Sequence, residues 1–145
     1  MVLGVTTNGE VLPISVDWED CLKEHEDITG FIGNECTLYE VVRPRRLYTK
    51  LHADMMDDKK SVVMLVDEEG LLKPNVYNLV GSYLYETEVH GNAIAGNILF
   101  VGEELREDGL HLCDLSDTTL EKLKTQLDII VIAMRAQIKV MEDKR

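Results

Sequence analysis

The sequence predicts an α+β fold: a small, mostly antiparallel sheet with a short N-terminal helix and a long C-terminal helix. Three observations predict it. Short apolar, β-prone runs recur at residues 2–7, 11–16, 37–42, 61–66, 97–101 and 110–115, each about the length of a strand. Turns bearing Gly, Asn and acidic residues separate several of them. The last thirty residues instead carry apolar side chains three and four apart, the period of a helix.

The chain has 145 residues, 45% of them hydrophobic and 29% charged. That is one domain of ordinary composition, and intrinsic disorder is excluded. The expected organisation is a single α+β domain over residues 1–145, with a sheet-rich body at 1–115 and a helix at 116–145. Net charge is -12, so a general positive field for nucleic acid is excluded. No apolar run approaches the ~20 residues of a membrane span. The start MVLGVTTNGE lacks the basic-then-apolar pattern of a signal peptide. The expected location is the cytoplasm, that of a host cell if the protein is viral. Three scattered cysteines, Cys21, Cys36 and Cys113, fit reduced, buried thiols. None of His25, His52, His90 and His111 has a Cys or His partner at zinc-ligand spacing, so no metal and no cofactor is expected.

Each element has its reason. Asn8-Gly9 between the first two runs predicts a hairpin with a tight primed turn, because both residues tolerate positive φ. Pro13 marks the second arm as an edge strand. Asp17 is the expected cap of a short helix with Trp18, Cys21 and Leu22 on one face. Gly30 and Gly33 punctuate the stretch after that helix face. The run 61–66 reads as a central strand, and 43–60 carries no clear pattern. KPNVYNLVGSYLY reads as a helical turn followed by an extended segment. In 110–115, alternation turns Leu110, Leu112 and Leu115 inward. Thr118 and Glu121 form a capping box for a helix over 119–142. Its first apolar stripe is Leu120, Leu123, Leu127, Ile130, Met134, Ile138 and Met141. Ile129, Ile132, Ala133, Ala136 and Val140 make a second stripe on another side. One sheet covers one stripe only, so the second predicts self-association through this helix.

No nucleophile elbow, phosphate loop, dinucleotide fingerprint or zinc-protease motif is present, and no enzyme is expected. Two features stand out. RPRRLYTK concentrates Arg43, Arg45, Arg46 and Lys50 in an acidic chain. Guanidinium forks match phosphate oxygens, and Tyr48 offers a ring to stack on a base or ribose. The bland alternative is a surface loop whose charges pair with acids such as Asp57 and Asp58. The second feature is the loop 87–97, read with Asn75, Tyr77 and Asn78. Gly91 and Gly96 let backbone approach a ligand, and His90, Asn92 and Asn97 supply directional hydrogen bonds. Its alternative is ordinary turn chemistry.

VVMLVDEEGLLKPNVYNLVG followed by HGNAIAGNILFVGEE resembles the family called domain of unknown function 3846. Those are small acidic proteins of phages, plasmids and other bacterial mobile elements. The shared pattern is the strand at 62–66, the acidic turn to Gly70, Lys73-Pro74-Asn75, Asn78, the loop 91–96 and the strand ending at Gly102. The resemblance spans about residues 18–115. The stretch 43–60 and the C-terminal helix are both longer here than the family pattern. It implies an α+β fold and a mobile-element origin, and it carries no catalytic residues. The expected function is therefore a phage-type counter-defence protein that sequesters a small nucleotide-derived immune signal without catalysis. Arg43, Arg45, Arg46, Tyr48, Asn75, Asn78, His90, Asn92 and Asn97 are the expected binding residues. The expected partners are that ligand and further copies of the chain, with no membrane and no direct nucleic acid. The alternative from the charge is an acidic DNA mimic that blocks a host nuclease or other DNA-binding protein.

Overall fold

The first two strands, β1 (Val2–Val5) and β2 (Val11–Ile14), form the hairpin the sequence predicts, pairing Val2 with Ile14 and Val5 with Val11. The computed structural model describes residues 1–74 and 76–144. The turn is not the primed type. Only Gly9 takes positive φ, at 81°, and the Gly9 N–H donates to the Thr6 carbonyl at 3.0 Å. Asn8 stays at negative φ, so one left-handed glycine closes a longer loop.

Helix α1 (Cys21–Ile32) begins at Asp20, whose Oδ1 accepts from the N–H groups of Leu22 and Lys23 at 3.1 Å each. Asp17, the expected cap, instead accepts from the Glu19 N–H in the preceding turn. Trp18 precedes the helix and donates its indole N–H to Asp114 at 2.8 Å. Gly33 ends α1 at φ 74°, while Gly30 lies inside it.

Strand β3 (Tyr39–Val42) leads into a short α2 (Arg45–Thr49), then β4 (Ser61–Asp67). The segment before α3 (Leu79–Leu84) reverses expectation, with the extended part first and the helix second. Tyr77 bridges Ala95, and Asn78 then caps α3 by accepting from the Gly81 N–H at 3.0 Å. Helix α4 (Thr87–His90) follows, then β5 (Ile98–Arg106), β6 (Gly109–Cys113) and α5 (Asp117–Asp143). Ser116, not Thr118, caps α5; its Oγ accepts from the Thr119 N–H at 3.2 Å.

All pairings among the named strands are antiparallel, in the order β2-β1-β5-β4-β3, with β6 also on β5. β4 and β5 are buried on both faces, so they read as near-continuous apolar runs. Val62, Met64, Val66, Ile98 and Phe100 face a core closed by α2, α3 and α5. Val63, Leu65, Leu99 and Val101 face a second core closed by Ile28 and Ile32 of α1. Gly4 admits Phe31 of α1: a Cβ there would sit 2.4 Å from the ring.

Leu110 is not inward. It is exposed and pairs with exposed Leu105, because the β5–β6 ribbon runs beyond the helices that cover the sheet. Leu112 is half-buried and Leu115 is buried. In α5 the buried positions are Thr119, Leu123, Leu127 and Val131. Among the described residues beyond Val131, only Met134 is half-buried. Among the described residues, no helix is long and apolar enough to cross a membrane.

Candidate functional site

Pro44 starts α2 directly after β3, and this places three arginines along one short stretch of surface. Each meets a carboxylate from elsewhere in the chain. Arg43 Nη2 donates to both oxygens of Glu103, at 2.8 and 2.7 Å. Arg45 Nη2 donates to Glu86 at 2.6 Å. Arg46 holds its Cζ over the Tyr83 ring, 4.7 Å from the ring centre, donates to the Tyr83 carbonyl at 2.8 Å and pairs with Glu88. The acids that receive the cluster are thus Glu86, Glu88 and Glu103, not Asp57 and Asp58.

Glu86 is the hub. Its carboxylate is buried, with 8% of the side chain exposed, and it also stands 3.6 Å from Arg46 Nε. The Arg45 hydrogen bond holds its pKa below the ordinary glutamate value, against the opposing effect of burial. The same bond raises the pKa of Arg45. Glu86 adopts left-handed backbone at φ 59°, between α3 and α4.

Arg43, Arg45 and His90 share one open depression of about 510 Å³, walled also by Pro44, Tyr85, Glu86 and Val89. The basic cluster and the glycine-bearing loop therefore meet in space. The His90 ring rests against Tyr85, with centroids 4.8 Å apart. Tyr85 also lines a second hollow of about 160 Å³, shared with Asn92, Glu40, Asp67 and Glu68.

The other expected residues stand elsewhere. Arg46 and Tyr48 are outside the lining of the depression. Tyr48 packs against the core and donates its hydroxyl to the Val62 carbonyl at 2.8 Å. Burial there is the first cause of its raised pKa. Asn78 is fully buried and donates to the carbonyls of Val5 and Gly96, at 3.1 and 3.0 Å. Asn97 joins the Phe31 carbonyl and the Thr7 N–H, at 3.0 and 3.1 Å. Asn78 ties β1 to the loop before β5, and Asn97 ties the hairpin loop to the end of α1. Asn75 lies outside the described residues.

Tyr85, Glu86, Val89 and Pro44 are the lining residues sequence reasoning missed. The signal for Glu86 is an acid directly after an aromatic at the end of α3, and nothing local links it to Arg45, 41 positions away.

Other reactive groups are quiet. Cys36 is buried, and burial with Asp67 nearby pushes its thiol up to about 11, so it holds almost no thiolate at neutral pH. Asp67 is itself paired with Lys73 at 2.8 Å. Among the described residues, no group of three or more His, Cys, Asp or Glu side chains is placed to hold a metal. Compared with protein-family models, with curated proteins and with solved structures, the chain matches none.

Proposed function

We propose that this chain is a non-catalytic binding protein that takes up a small, phosphate-bearing, nucleotide-derived ligand in the depression between α2 and α4. The observation that supports it best is the convergence of Arg43, Arg45 and His90 beside the Tyr85 ring on one open hollow. Glu103 and Glu86 each engage a single nitrogen, Nη2, of their arginine. They hold the guanidiniums in place and leave other N–H donors for an anion. Arg45 is 74% exposed, so its remaining N–H donors are open to a phosphate while Glu86 stays in place, and Tyr85 offers a face to a base. Sequestration asks only for such complementarity, with no group acting on a transition state. In a mobile element, the setting implied by the family resemblance, this is a counter-defence role: the protein removes an immune signal by binding it.

Titration of cyclic dinucleotides, ADP-ribose and their relatives by calorimetry tests the reading. One of them binds, Arg45→Ala and Arg43→Ala each weaken it at least tenfold, and the ligand is recovered unchanged after denaturation. Absence of binding by all of them overturns the reading, and a chemically altered ligand makes the protein an enzyme instead.

A second reading rests on a different surface. Asp17, Glu19, Asp20, Glu24, Glu26 and Asp27 gather along the first turns of α1 and the segment before it. Such a ridge suits an acidic DNA mimic, which would retain basic DNA-binding proteins at low salt and release them as salt rises.

A further inference from the structure

We infer that two copies of this chain associate through the exposed outer face of the second half of α5, side by side and antiparallel. Val131 is the last buried residue of α5; beyond it Met134 packs on the core and Arg135 donates to the Asn8 carbonyl at 2.9 Å. The opposite side of these turns is exposed, yet it is not polar. Ile129, Ile132 and Val140 are 61%, 65% and 51% exposed, and Ala133 and Ala136 lie between them on the same side. An exposed apolar face on the outer side of a helix needs cover.

Charge identifies the cover. Asp128, which already holds Lys124 of its own helix at 2.7 Å through one oxygen, and Lys139 are eleven residues apart, close to three full turns, so they stand on one flank of this face near its opposite ends. Lys122 precedes the face and Asp143 follows it, again with opposite signs. A parallel two-fold pair carries this flank to opposite sides of the seam in the two copies, so Lys139 meets no partner carboxylate there. An antiparallel pair that lays Ile129 over the partner's Val140, and Ala133 over the partner's Ala136, sets Asp128 within about 3 Å, along the axis, of the partner's Lys139. The two-fold axis repeats that pairing. The alanines at the centre let the backbones approach, and the isoleucines and valines close over them. The sequence of α5 is thus complementary to itself reversed. Two-fold closure also uses the face up, so no chain of copies grows.

The test uses the full chain. Light scattering at tens of micromolar gives twice 16.4 kDa, and Ile132→Glu returns the mass to one chain with unchanged circular dichroism, since position 132 is exposed in the single subunit. Orientation is read by disulfides in a Cys21→Ser background, which removes the exposed native thiol. A mixture of Ile129→Cys and Val140→Cys copies cross-links between the two variants, and Ile129→Cys alone does not. A mass of one chain for the unaltered protein, an Ile132→Glu variant that stays paired, or cross-linking of Ile129→Cys to itself overturns the inference.

Discussion

At the scale of single residues, Glu86 decides how the basic cluster is arranged. Its carboxylate receives Arg45 and stands close to Arg46, and the Arg45 hydrogen bond lowers its pKa in the folded state. A lowered carboxylate pKa contributes stability that is fully present above the unfolded-state value, about 4.3 for glutamate, and is lost as pH falls through the folded value. Glu86→Gln keeps the shape and removes the charge. The wild type should therefore melt above Glu86→Gln at pH 6, and the gap should close as the pH is taken below about 4. Thermal melts of the two proteins across this range measure it. A gap that stays constant down to pH 3 would show that the pairing with Arg45 contributes nothing to folding. The arginines were legible in the sequence because four basic residues in eight stand out against a charge of -12. Their partners were not, because Glu86 and Glu103 lie 41 and 60 positions from Arg45 and Arg43, and only the folded chain brings them together.

At the scale of elements, the strands were legible because burial on both sides of β4 leaves VVMLV uninterrupted. The helix ends were less so. A cap is a matter of one side chain reaching one N–H, and Asp17, Asp20, Ser116 and Thr118 all have the right chemistry. The reversed order at 76–84 has the same origin, since Asn78 acts there as a cap and Pro74 only looks like a helix start. Asn78 does more than cap. Its Oδ1 accepts from the Gly81 N–H, and its Nδ2 joins β1 and the loop before β5 through the Val5 and Gly96 carbonyls. Asn78→Ala leaves these buried groups without partners at a junction of three segments. The loss should be about 3 kcal/mol, a large part of a typical domain's 5–15. Urea unfolding gives the value, and a loss under about 1 kcal/mol would mean that water replaces the amide.

At the scale of the whole molecule, the net charge of -12 acts against the association of copies that α5 invites. Two such bodies, with centres roughly 40 Å apart as the length of α5 suggests, repel by about 4 kcal/mol at 0.01 M salt and by well under 1 kcal/mol at 0.15 M. The two Asp128–Lys139 pairs are exposed and together contribute about 1 kcal/mol at most, which salt weakens in the opposite sense. The long-range term is the larger, and the apolar contact between the helices hardly depends on salt over this range. Pairing should therefore tighten as salt rises from 0.01 to 0.15 M, by roughly a hundredfold or more in dissociation constant. An interface held mainly by its charge pairs would loosen over the same range. Sedimentation equilibrium at the two salt concentrations separates the cases. Tightening also distinguishes this contact from capture of a basic protein by the acidic ridge around α1, which salt can only weaken.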